Sequence, residues 1–132
     1  MLKLTKKLEY ALISLSYMNI NKEQLSSSKE ISKKNNIPND ILAKVLQKMT
    51  RLGYIRSTKG VRGGYRLNKN IEKISLKTFI EDIEGPIGLV DCSIDQDCMQ
   101  LNDCNIRSPI NQININIRDF FNKILIKDIM NQ

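Results

Sequence analysis

A chain of 132 residues has room for one compact domain with an appendage, or for two small lobes. It is 41% apolar and contains no histidine, so imidazole is missing both as a metal ligand and as a catalytic base, which counts against most hydrolase mechanisms. Its net charge of +7 is unevenly spread: residues 1–80 hold 17 Lys and Arg against five Asp and Glu, a sum of +12, and residues 81–132 hold four against nine, a sum of −5. A basic half joined to an acidic half points to phosphate binding in the first. Solvated lysine-rich helices would give the same sums, so the order of elements has to decide. No stretch of about 18 apolar residues exists to cross a membrane. The opening MLKLTKKLEY lacks the apolar core and cleavage site of a signal peptide. A cytoplasmic location without membrane contact is expected, where free thiols survive.

Leu4, Leu8, Ala11, Leu12 and Leu15 recur at helical spacing and predict a first amphipathic helix over residues 4–18. After the polar loop NINKEQLSSS, Ser27 and Glu30 have the spacing of a capping box, which starts a short second helix near Lys29. Ile37-Pro38-Asn39-Asp40 opens a third helix with proline at an early position, where its missing N–H is harmless. Ile41, Leu42, Val45, Leu46, Met49 and Leu52 form its apolar stripe, and Gly53 stops it. Two helices joined by a short turn make a helix-turn-helix. Tyr54 to Ser57 and Tyr65 to Leu67 then alternate like strands around a tip with three glycines and two cations, Lys59 and Arg62. A helix-turn-helix followed at once by a basic hairpin is a winged helix.

Ser75 caps and Gly85 stops a further helix, SLKTFIEDIEG. From about Asn105, Ile106, Ile110, Ile113, Ile117, Phe120 and Ile124 follow at alternating steps of four and three, the seam of a coiled coil. One seam on one helix needs a partner, and a second copy in a two-fold homodimer is the simplest. The closing LIKDIM reads as a short helix at that dimer. The fold class is therefore mainly α with a small β-hairpin wing: a winged helix-turn-helix over residues 1–80, a connecting helix and cysteine loop over 81–104, and a dimerisation helix with a terminal segment over 105–132.

Cys92, Cys98 and Cys104 are the only cysteines, six residues apart in the acidic loop DCSIDQDCMQLNDC. An odd number cannot close into intramolecular disulfides. A polar loop gives thiols no packing role, so a soft metal or metal–sulfide centre is the economical reading. Structural zinc pairs cysteines two to four residues apart, closer than these. On the DNA side, the third helix should enter the major groove of a double-stranded operator with Asn39 and Lys44 near base edges. Lys33, Lys34 and Lys48 should meet phosphates. Lys59 and Arg62 sit beside wing glycines that let the hairpin approach the backbone or the minor groove.

The opening LTKKLEYAL, the wing KGVRGGYRL, the segment FIEDIEG and the evenly spaced cysteines resemble the Rrf-two family of bacterial regulators over nearly the whole chain. The family includes an iron–sulfur cluster regulator and a nitric-oxide-sensing repressor. The resemblance implies a homodimer with two winged-helix heads and an iron–sulfur cluster on the three cysteines, in a two-iron or four-iron form. In one branch a histidine three residues after the last cysteine completes the ligand set, and Arg107 stands there instead. In another branch the partner subunit supplies a carboxylate from its first helix, and the matching residue is Glu9. A DNA-binding repressor, not an enzyme, is expected, with operator binding switched by redox state, nitric oxide or iron–sulfur status. The competing reading is a cluster-free winged-helix regulator controlled by thiol oxidation or by a protein partner.

Overall fold

The computed structural model describes residues 2–94 and 98–131, so Asp95, Gln96 and Asp97 of the cysteine loop lie outside the described residues. The chain divides into two compact units, residues 1–74 with 126–132, and residues 75–125. The terminal segment belongs to the first unit. Among the described residues no helix is long and apolar enough to cross a membrane.

In the first unit α1 spans Lys6–Ile20. It begins later than the apolar spacing predicts because the Thr5 hydroxyl accepts the Leu8 N–H at 3.1 Å and sets the cap there. Leu4 is left exposed. α2, Ser28–Asn35, is capped by Ser27, whose hydroxyl accepts the Glu30 N–H at 3.0 Å. It ends at Asn36 in the left-handed conformation (φ 53°), a geometry asparagine tolerates. Ser32 Oγ then donates to the Ile37 carbonyl at 2.6 Å, fixing the turn into α3, Asn39–Arg51. Pro38 sits one position before the helix, as its cap, and its carbonyl accepts the Leu42 N–H. Gly53 (φ 85°) ends the run.

The hairpin pairs β1, Ile55–Thr58, with β2, Gly64–Leu67, in antiparallel register: Ile55 opposite Leu67, Arg56 opposite Arg66, Ser57 opposite Tyr65, Thr58 opposite Gly64. A Cβ on Gly63 would overlap the Thr58 carbonyl oxygen, so the tip closes only with glycine there. Gly64 lets the Ser26 backbone come close enough to exchange two hydrogen bonds with Tyr65, at 2.9 and 2.7 Å. Leu8, Ala11, Leu15, Met18, Ile31, Leu42, Val45, Leu46, Met49, Ile55 and Ile71 are buried. So are Ile126 and Met130 of α6, Ile126–Met130, which packs on α1. Asn19 Nδ2 donates to Asn131 Oδ1 at 2.9 Å in the same contact.

In the second unit α4, Leu76–Glu84, is capped by Ser75 and stopped by Gly85 (φ 94°), as expected. A single 3-10 turn spans Asp91–Ile94, and α5 spans Arg107–Asn122. Arg118 joins α5 to α4 by placing Nε and a terminal nitrogen each 2.8 Å from Glu81 Oε1. Ser93 Oγ donates to Asn111 Oδ1 at 3.2 Å, holding the 3-10 turn against α5. The expected seam splits into two rows. Ile106, Ile113 and Phe120, seven residues apart, are 54%, 46% and 62% exposed, whereas Ile110, Ile117 and Ile124 are half-buried. Ile106 and Ile124 fall just outside α5.

Candidate functional site

α3 presents a cationic surface because its apolar residues are confined to one side. Leu42, Val45, Leu46 and Met49 are fully buried, which turns Asn39, Lys44 and Gln47 outward and leaves Lys48 half-buried. Ile41 and Leu52, expected in the apolar stripe, are 39% and 41% exposed. Ile41 instead lines a groove of about 460 Å³ with Lys7 of α1 and with Lys44, Val45, Gln47, Lys48 and Arg51 of α3. Lys33 and Lys34 are exposed on the last turn of α2, and Lys59 and Arg62 at the hairpin tip.

Lys7 escapes a reading that treats α3 alone, and the sequence reading also leaves out Gln47 and Arg51 of α3 and Arg56 and Arg66 on the hairpin strands. A signal for the whole surface does exist in the sequence. From Ile41 to Ile71 there are eight Lys and Arg and no Asp or Glu. Such a run has no internal counter-charge and favours an external polyanion.

The three cysteines are free, half-exposed thiols in the second unit. Cys92 lies in the 3-10 turn, and Cys98 Sγ donates to Gln100 Oε1 at 3.4 Å. Cys104 lies three residues before α5. Twelve residues separate the outer two, yet all three line one cavity of about 360 Å³ with Val90, Asp91, Gln100, Ile106, Arg107 and Ile110. That space is far above the roughly 10–15 Å³ a single water needs, so it has room for a group of several atoms. Among the described residues no three Cys, Asp or Glu side chains are close enough to share one metal ion. Soft sulfurs spread around a cavity suit a multinuclear centre, in which each thiolate binds its own iron, better than a lone zinc. The donor set fits an iron–sulfur cluster in that sense.

Arg107, the first residue of α5, is among the residues that line this cavity. Glu9 lies in the first unit, on the first turn of α1, with its carboxylate 2.9 Å from Lys6 Nζ. That hydrogen bond, followed by the charge attraction, raises the Lys6 ammonium above its usual value.

The profile of the Rrf2 family, described as an iron-dependent transcriptional regulator, matches residues 4–132. The chain belongs to the Rrf2 family. Two Rrf2-type relatives carry the name HTH-type transcriptional regulator NsrR. The one from Bacillus licheniformis is 29% identical over 99% of this chain and 94% of its own. The one from Halalkalibacterium halodurans is 35% identical over 69% of this chain and 63% of its own. Among solved structures, CymR, named as the global cysteine regulator of B. subtilis, superposes with a TM-score of 0.76 at 23% identity, covering 99% of this chain and 98% of that one. IscR of T. potens superposes with a TM-score of 0.74 at 20% identity, covering 98% and 87%. At these identities the structures speak for the fold alone, the winged-helix regulator expected from the order of elements. As an Rrf2 member the protein is a transcriptional regulator with a DNA-binding head.

Proposed function

We propose that the protein is a cytoplasmic, homodimeric repressor whose operator binding is switched by an iron–sulfur cluster on Cys92, Cys98 and Cys104. The observation that carries this reading is the shared cavity: three thiols six residues apart in sequence open onto one space large enough for a cluster. The cluster, when bound, supplies a redox-active and nitric-oxide-reactive centre. The cysteines would bind it as thiolates, and Arg107 would offset their negative charge. The partner subunit's copy of Glu9 would provide a hard, exchangeable oxygen ligand. Freeing it from Lys6 costs little, because an exposed pair of this kind is well solvated and screened.

The outward row Ile106, Ile113 and Phe120 supplies the apolar surface a second copy of α5 would cover. Two heads held at a fixed spacing match half-sites about 34 Å apart. Asn39 and Lys44 would read bases, with Ile41 offering an apolar contact to thymine methyl groups. Lys33, Lys34 and Lys48 would meet phosphates, and Lys59 and Arg62 the backbone or minor groove beyond.

Likeness to the cysteine regulator CymR supports a second reading, in which the three half-exposed thiols are themselves the switch through oxidation, without a cluster. Anaerobic purification with iron and sulfide counting separates the two. A brown protein with iron and sulfide, both lost when the three cysteines become serine, supports the cluster. A colourless wild type under iron-replete, reducing conditions sinks it. Binding to a duplex selected from a random library, before and after exposure to nitric oxide or oxygen, then tests the switch.

A further inference from the structure

The hairpin pairs two arginines directly across its strands, away from its tip. Arg56 and Arg66 are direct cross-strand partners, both exposed, two rungs behind the Thr58–Gly64 pair that closes the wing. Residues directly opposite in an antiparallel pair have Cβ atoms about 4.5–5.5 Å apart, and like charges there oppose pairing. Among the described residues neither arginine forms an ion pair, and no carboxylate occurs between Ile41 and Ile71. The alternation of the hairpin adds a second constraint. Buried Ile55 faces inward, opposite half-buried Leu67, so Arg56 and Arg66 share the outward face. Two planar forks carried side by side on one exposed face can reach the oxygens of one phosphate group.

We propose that Arg56 and Arg66 form a clamp for one backbone phosphate of duplex DNA, separate from the contacts of the wing tip. The clamp is indifferent to sequence, so a mixed-sequence duplex of about three helical turns serves as the probe and no operator is needed. The full-length protein, wild type and Arg56→Gln/Arg66→Gln, is titrated with it across a range of salt. A single shared phosphate predicts that the slope of log affinity against log salt becomes shallower by about 0.9 in the double variant. The variant Arg56→Lys/Arg66→Lys keeps the wild-type slope but binds more weakly, because an ammonium is a point charge and cannot fork. Inorganic phosphate should displace the duplex no better than chloride at equal ionic strength.

Five results count against the proposal. An unchanged slope in the glutamine variant removes the contact, and a change near 1.8 assigns the arginines to two phosphates. A lysine variant that binds like wild type reduces the clamp to charge alone. Selective displacement by inorganic phosphate, lost in the glutamine variant, makes this a site for the free anion. The melting temperature of the glutamine variant, without DNA, should hold or rise as the repulsion is relieved; a fall would make the pair structural and also count against the clamp.

Discussion

Tyr17 on α1 donates its phenolic hydrogen to Glu30 Oε2 on α2 at 2.7 Å, so the carboxylate expected to close a capping box ties two helices together instead. Only half of the box forms: Ser27 accepts the Glu30 N–H, while the Glu30 side chain points across to α1.

The Tyr17–Glu30 bond, and the burial that goes with it, raise the Tyr17 phenol above its ordinary value of 10.0. A raised value means the folded state holds this proton more tightly. The resulting stability is complete below about pH 10 and fades as pH climbs through the raised value. Tyr17→Phe should cost about 1 kcal/mol at neutral pH, and the difference from wild type should shrink above pH 10. Urea melts at pH 7 and pH 11 measure both.

Glu9 forms an i to i+3 pair with Lys6 on an exposed turn. An exposed pair of this kind adds little to stability, so Glu9→Ala should melt almost like wild type. If the partner's Glu9 is an iron ligand, the same variant should carry less iron per protomer and a shifted visible spectrum. Lys6→Ala, which breaks the pair from the other side, should keep both. Iron assay with absorption spectroscopy decides between a ligand and a solvated carboxylate.

Ile113→Asp with Phe120→Asp places two charges in the outward row of α5, where the wild-type side chains are half or more exposed. The double variant should keep its helix content, since Ile113 at 46% and Phe120 at 62% exposure are not buried within the protomer. It should sediment as a monomer where wild type sediments as a dimer. A wild type already monomeric at tens of micromolar would assign that row to something other than a second copy.

Met130 is 1% exposed, at the end of α6. Met130→Ala should destabilise the first unit by about 2–5 kcal/mol, the range for emptying a buried site of this size. Urea denaturation followed by circular dichroism reads the loss.

Short-range signals in the sequence translated directly into structure. Ser27 and Ser75 cap their helices and Gly53 and Gly85 stop theirs, because cap chemistry needs only residues two to four positions away. Apolar periodicity located α3 but could not separate its buried residues from Ile41, whose exposure depends on what α1 leaves uncovered. The meeting of Arg56 and Arg66 depends on hairpin register, set by the loop between the strands and not by either residue. The convergence of three cysteines on one cavity is likewise a property of the folded loop and α5 together. The packing of the tail on α1 was not legible, because a pattern of Ile126 and Met130 suits any apolar partner.

That tail has a bearing on how the molecule is born. The DNA-reading head begins near residue 6 but lacks a wall until Ile126 and Met130 have been added. At roughly 5–20 residues per second, the stretch carrying all three thiols is synthesised seconds before the residues that close the head. Newly made chains therefore pass through an interval in which the cysteines are present and the finished winged helix is not.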